Sequence, residues 1–531
     1  MKLKTLSVLA ALTICTGYTY AQGEVDAYRL SRNNLTGTAR SVAMGGAFGA
    51  LGGDISGIAI NPAGIGVYKS SEVVATMNFQ SAKTETQMKT TGGPKSDASK
   101  FKFSFDNLGF VGTVPTNNSD VVPLINFGFS YNRLMNFDRK YRLQGDNLNS
   151  SIASYMARRA NSGDYIYDNP NYHLYVDGYG KNEEGIYAFD DYDWMALLGY
   201  NSHLINHLGS GNYEANRAFA GGGIYNDLNV NEKGSIDRYD FNVGTTFADV
   251  VSFGLTVSVT DLNYRLYSTY EEALNNTQGN GFLMDNWLHT DGTGWQIKTG
   301  LIFKPVHELR IGVAYHSPTW YNMTDYYGAG IDYNMKGISA GANVSPESGD
   351  VYSGDYGPAD YKFRSPDKFI ASVAGVIGQT AIISADYEFT NYKNSMKLFD
   401  RNGDNLGHAP NEAIKEHYKG SSTVRVGAEV RVTPQFALRA GYAWMQSPLV
   451  KDFKDGKLEA ETVGSDSHFI LDGDTHHITW GAGYRFTKNF YTDVAFVMKN
   501  RKSDLYTFDL SDRAELKDKV FQGLLTLGFR F

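Results

Sequence analysis

Apolar and polar residues alternate with a period of two along most of this chain. In residues 239–247 the odd positions are Tyr, Phe, Val, Thr and Phe, and the even ones are Asp240, Asn242, Gly244 and Thr246. Residues 251–259 set Val, Phe, Leu, Val and Val against Ser252, Gly254, Thr256 and Ser258. Val424, Val426, Ala428, Val430 and Val432 alternate with Arg425, Gly427, Glu429 and Arg431, and residues 477–486 repeat the scheme. Successive strand residues point to opposite faces, so this pattern predicts strands with one apolar and one polar or small face. Such segments centre near residues 76, 106, 129, 242, 256, 299, 314, 368, 386, 427, 441, 480, 495 and 525. Their number, fourteen, is even, as in bacterial single-chain barrels.

The connections sharpen this picture. Tight turns are expected at 248–250, 304–307, 378–379, 433–435 and 487–489, and long polar stretches at 266–290, 321–360, 393–422, 448–473 and 501–517. Outer-membrane barrels combine short periplasmic turns with long outer loops. The final strand ends on Phe529, Arg530 and Phe531. A chain that stops inside a strand leaves an edge unpaired unless the sheet closes on itself. A soluble sandwich also alternates, but it has no reason to order short and long links so regularly. The expected fold is all-β, a 14-stranded antiparallel transmembrane β-barrel.

Composition agrees. The 531 residues include 57 Gly, 36 Tyr and 30 Phe, with 42% hydrophobic residues. Beyond the N-terminus no run reaches the roughly eighteen apolar residues of a membrane helix. The net charge of -8 argues against nucleic acid. Lys2, Lys4, an apolar stretch at 6–14 and the Thr19-Tyr20-Ala21 site read as a signal peptide over 1–21, giving a mature chain from Gln22. Cys15, the one cysteine, lies within it, so disulfides and thiolate metal sites are not expected.

Two regions depart from the pattern. Residues 22–68 are rich in Gly, Ala and small aliphatics, and residues 69–531 form the barrel proper. The longest insert, 138–235, carries helix-like stretches at 148–160 and 192–208 and belongs outside the cell by strand parity. Arg310, Asp386, Glu388, Arg425, Glu429, Arg431, Arg439 and Arg485, with Asp493 and Arg530, all take the polar side of their strands. Their mixed signs predict ion-pair ladders across the lumen. A water-filled porin would carry the same set but needs no segment like 22–68. In the third strand, Gly128, Asn132 and Arg133 mark an expected irregularity.

Residues 37–68 contain Met44-Gly45-Gly46-Ala47 and, later, Asn61-Pro62-Ala63-Gly64. With 294–305, 309–318 and 424–448, they make the chain resemble the long-chain fatty-acid transporter (FadL) family, which includes aromatic-hydrocarbon channels. The resemblance implies an N-terminal hatch (22–68) inside the lumen and passive uptake of a hydrophobic small molecule, a long-chain fatty acid or similar. It further implies lateral release through a kink in strand three, at Gly128, Asn132 and Arg133. Asn61, Pro62, Ala63, Gly64, Phe48, Leu51, Ile55 and Ile58 are the candidate substrate-pathway residues, although plug packing explains the same side chains. The expected partners are the ligand, outer-membrane lipid and lipopolysaccharide, and the assembly machinery reading the strand that ends at Phe531. A monomer without cofactor is expected.

The alternative is a surface haem receptor or adhesin working through the outer loops. His468, His476 and His477 would serve it, but loop histidines are ordinarily solvated. The 400–404 stretch, Asp-Arg-Asn-Gly-Asp, lacks the Glu of a calcium loop at its twelfth position, where Asn411 stands. Asp466-Ser467-His468 has no nucleophile turn around it, so no enzyme is expected.

Overall fold

The computed structural model describes residues 23–118, 121–162, 174, 193–208, 212–220, 223–274, 280–334, 348–352, 358–378, 380–405, 408–462, 464 and 466–531. The expected signal peptide lies outside the described residues, as does Gln379 of one expected turn.

Fourteen antiparallel strands close into a barrel. The first six are β1 (Glu72–Met88), β2 (Ser96–Asn118), β3 (Val122–Asn136, resuming at Arg139–Leu148), β4 (Ile224–Phe247), β5 (Val251–Leu274) and β6 (Gly281–Val306). Three interrupted strands follow: β7 (Leu309–His316 and Trp320–Asn334), β8 (Ser348–Tyr352, Ala359–Arg364 and Lys368–Ile377) and β9 (Ala381–Thr390 and Lys397–Phe399). The last five are β10 (Ser421–Arg431), β11 (Phe436–Met445), β12 (Phe469–Arg485), β13 (Phe490–Tyr506) and β14 (Ala514–Arg530). The seam pairs β1 with β14 from Glu72↔Arg530 to Met88↔Ala514, and Phe531 N–H donates to Ser71 O.

The alternation has the faces expected of it. Phe241, Val243 and Phe247 are exposed on the barrel's outside, whereas Asp240, Asn242 and Thr246 are buried within. Tyr131, Tyr239, Trp295, Trp320, Tyr315, Tyr387 and Tyr442 stand outward towards the long-loop end, the place of an interfacial aromatic girdle. At the short-turn end Ala248 and Asp249 both adopt positive φ (48° and 56°) within the three-residue connection between the paired Phe247 and Val251.

Several stretches expected as loops are strand. Residues 266–274 and 281–290 extend β5 and β6, residues 139–148 and 224–235 extend β3 and β4, and β7 runs on to Asn334. The reason is a change of polarity on a constant face. Beyond Asp261 the inward residues of β5 become Leu262, Tyr264, Leu266 and Tyr270, all buried, while Asn263, Arg265 and Glu271 turn outward. Above the membrane the strands face water outside and an apolar core inside. That core also receives α4 (Ile152–Ser162) and α5 (Trp194–Asn201) from the 138–235 insert, with Trp194, Leu197 and Leu198 fully packed.

The N-terminal segment runs through the lumen from the long-loop end to the short-turn end. Helix α1 (Glu24–Ser31) is buried along its whole length in the outer core. Helices α2 (Ala39–Ala43) and α3 (Ile55–Ile60) and a 3₁₀ turn (Pro62–Val67) follow, with α2 packed on β11–β14, α3 on β2 and the 3₁₀ turn on β3–β6.

Candidate functional site: lumen, N-terminal segment and the break in strand three

The N-terminal segment is pinned by its own caps and by the wall. Thr38 caps α2, its Oγ1 accepting from Ser41 N, and donates to Asp54. Asp54 in turn caps α3 through Ser56 N. Asn61 closes the other end: its Oδ1 accepts from Ala63 N (3.0 Å), while its Nδ2 donates to Gly49 O (2.6 Å) and to Leu301 O of β6 (3.1 Å). Pro62 occupies the first helical position, where its missing N–H costs nothing. Gly64 N donates to Asn61 O and Gly64 O accepts from Gly53 N.

The wall admits this segment because it is lined with glycine. A Cβ at Gly300 would stand 1.9 Å from Asn61 Oδ1, at Gly254 2.1 Å from Pro62 O, at Gly312 2.2 Å from Gly49 O, and at Gly441 2.2 Å from Gly45 N. Gly128, on the third strand, is of the same kind: it sits in regular pairing with Val111 and Asn242, and a Cβ there would meet Ile65 at 2.8 Å.

The inward charges hold the segment and one another. Arg310 Nη1 donates to Leu51 O (2.6 Å), and Asp386 Oδ2 accepts from Gly49 N (2.9 Å). Glu429 joins Arg40 of α2 (2.9 Å) to Arg439 (2.7 Å), and Arg439 also reaches Asp493 (2.6 Å). Glu388 binds Lys368 (2.9 Å) and Arg425 (2.5 Å). Arg431 and Arg485 stand apart, exposed at the short-turn end with no carboxylate within ion-pair distance among the described residues. Sequence inspection missed Asp240, Arg238 and Lys298 as a group, although alternation places all three inward. Lys298 Nζ lies 2.8 Å from Asp240 Oδ1, and both side chains are fully buried.

A cavity of about 130 Å³ lies between two parts of the segment, Leu30–Thr36 on one side and Gly46, Ser56, Ala59 and Ile60 on the other. Its walls mix Leu134, Tyr321, Ile370 and Met445 with Arg238, His316, Lys368, Glu388 and Arg425. Asn61, Pro62, Ala63, Gly64, Phe48, Leu51, Ile55 and Ile58 do not line it. They pack against barrel strands instead: Phe48 and Leu51 with Met44 and Ala374, and Ile55 and Ile58 with Val74 and Val111.

Strand β3 breaks at this height. Its lower part pairs with β2 only as far as Asn132↔Asn107, and the register to β4 slips between Arg133 and Met135. Past Phe137 and Asp138 the upper part pairs with β4 alone, while Thr84 and Thr86 of β1 donate to its Lys140 O and Arg142 O. Among the described residues the upper half of β2 therefore has β1 as its one ladder partner. Lys100 and Lys102 bridge the gap to Asp138 at 2.8 and 2.9 Å. Asn132 and Arg133 thus flank the break, held by Asp240 (3.0 Å) and Asp237 (2.9 Å). A second cavity, about 50 Å³, reaches from Arg32–Leu35 to Met135–Arg139.

At the opposite end of the segment Glu24 is sealed under the outer loops. Its Oε1 lies 3.0 Å from His417 Nδ1 and accepts from Glu461 N (3.1 Å), and its backbone oxygen accepts from Tyr418 OH. Burial, partly offset by His417, pushes its carboxyl up from 4.5 to about 7. The released segment would ionise near the ordinary value, so docking is strongest below it and weakens as pH rises towards 7. Protease nicking near residue 24 is expected to be slower at pH 5 than at pH 8, and Glu24→Gln should remove that difference.

The other candidate chemistry disperses. His468 pairs with Asp466 (2.6 Å) and Tyr141 inside the outer core, His476 faces outward beside Tyr442, and His477 is buried in the lumen. Ser467 Oγ donates to Thr507 O rather than to a base. Asp400 Oδ1 accepts from Gly403 N and Asp404 N, a self-capped turn. Among the described residues no cluster of His, Cys, Asp and Glu is arranged to hold a metal.

The fold is shared with a Pseudomonas aeruginosa FadL homologue (TM-score 0.55, 15% identity, 94% of this chain and 100% of that one). It is shared too with the toluene transporter TodX of P. putida (TM-score 0.52, 13% identity, 94% and 99%). No curated protein is matched by sequence. The profile of the family described as Outer membrane protein transport protein (OMPP1/FadL/TodX) matches residues 232–519, more than half of the chain. A closed barrel, a glycine-lined lumen and that match converge: this chain belongs to the OMPP1/FadL/TodX family of Gram-negative outer-membrane channels for hydrophobic substrates, which are transporters and not enzymes.

Proposed function

We propose that the chain takes up amphipathic hydrophobic molecules, long-chain fatty acids or similar, without an energy source and delivers them sideways into the bilayer. The observation that carries this is the pair of cavities that share the stretch at Asn34 and Leu35, one in the lumen and one reaching the β3 break. Residues 22–68 act as the hatch: the lower segment blocks the direct path, and the break beside Asn132 and Arg133 offers the alternative. An apolar chain leaving there gains about 0.8 kcal/mol for each CH₂ it buries in hydrocarbon. The lumen cavity supplies a head-group contact, since Arg425 Nη1 is buried with no hydrogen-bond partner among the described residues. An unsatisfied guanidinium N–H favours a carboxylate over a bare hydrocarbon. The outer loops, the 138–235 insert among them, provide the capture surface.

On this reading the chain works as a monomer in contact with outer-membrane lipid and lipopolysaccharide, placed there by assembly machinery that engages the strand ending at Phe531. The test is uptake of labelled oleate. Cells carrying the protein should accumulate it faster than cells without. Deleting Leu134, the extra residue where the β3–β4 register slips between Arg133 and Met135, should return uptake to background while oleate still binds the purified protein. Equal uptake with and without the parent protein would overturn the proposal.

A further inference from the structure

The short-turn end of the lumen holds a third cavity, polar and of about 110 Å³, separate from the substrate path. Five guanidinium groups line it: Arg40 from α2 of the N-terminal segment, and Arg431, Arg439, Arg485 and Arg530 from the wall. Its carboxylates are already engaged. Glu429 is shared by Arg40 and Arg439, Asp493 is bound by Arg439, and Asp54 accepts from Thr38 and Ser56. Arg530 is bound by Glu72 (2.6 Å). Arg431 and Arg485 have no such partner among the described residues, yet both project from regular strands into the same concavity. In a chain of net charge -8 this is a local excess of positive charge. A concave, low-dielectric mouth focuses such a field on whatever anion enters.

We propose that this periplasmic mouth is a binding site for a small oxyanion, a phosphate or carboxylate group, held by Arg431 and Arg485 with Arg439 behind them. Planar guanidinium forks match the oxygens of either group, which a lysine cluster would not do as selectively. The same chemistry is offered by a free solute and by the head group of an inner-leaflet lipid.

Calorimetric titration of inorganic phosphate into the full mature chain, in a zwitterionic detergent at low salt, tests the site. Saturable binding is expected, and Arg431→Gln/Arg485→Gln should weaken it by about tenfold or more. Both side chains are exposed, so the barrel should keep its heat-modifiable mobility, and Lys457→Gln in an outer loop should leave binding unchanged. Repeating the titration in nanodiscs separates the sources. Weaker phosphate binding in phosphatidylglycerol than in phosphatidylcholine supports a lipid head group, and equal binding supports a free solute. Absence of saturable binding, or a double variant that binds as tightly as the parent, would overturn the site. Oleate uptake is unaffected by either result, so this proposal stands or falls apart from the transport reading.

Discussion

Replacing Gly254 and Gly300 by valine should open the channel. Each new Cβ would sit near 2 Å from Pro62 O or Asn61 Oδ1, atoms that the N-terminal segment has no room to move. Overpacking a relaxed core costs about 1–3 kcal/mol per site. Here wall and segment are both fixed by hydrogen bonds, so docking of residues 49–67 is lost rather than loosened. The barrel's ladder should tolerate the change, because valine suits a strand better than glycine does. In planar bilayers the double variant is expected to show a large ion conductance that the parent lacks, with the segment becoming protease-sensitive. A closed, protected double variant would show that the glycines do not set the fit.

Asp240→Ala should be the most destabilising single change in the wall. Asp240 accepts from Lys298 (2.8 Å), Arg238 (3.0 Å) and Asn132 (3.0 Å), and from Ser258 as well. Removing it leaves two cations buried without a counter-charge, which costs about 3–5 kcal/mol. Lys298→Met should cost much less, because Arg238 still neutralises Asp240. Combining Lys298→Met with Asp240→Ala should recover part of the loss, a coupling that a double-mutant cycle reads directly. Urea unfolding of the protein in liposomes, followed by tryptophan fluorescence, gives the three values. If all three variants unfold alike, the pair is not a coupled unit.

Much of this architecture is visible in the residues alone. Alternation located the fourteen strands because a barrel wall has two solvents, hydrocarbon outside and a polar lumen inside. The upper strand halves escaped for a related reason. At Asp261–Leu262 the apolar side changes from odd to even positions while the backbone continues unchanged. A search tuned to one apolar face ends the strand there, yet the reversal itself marks the membrane boundary. The glycines told part of the story too: Gly244, Gly254, Gly300, Gly427 and Gly441 recur on the inward face. What they face cannot be inferred without the fold, because the partners lie hundreds of positions away. For the same reason the break in β3 lies slightly beyond the Gly128 to Arg133 stretch. Glycine there answers to Ile65, not to a kink.

The last tie in the chain also dictates an order of construction. Glu72 and Arg530, 458 positions apart, meet at the seam, so the cylinder remains an open sheet until the final strand emerges. Residues 23–68 then stand enclosed by the strands they pack on, so we expect them to dock before that seam closes. On that order the wall is wrapped around its contents, like a cask raised on something already standing inside.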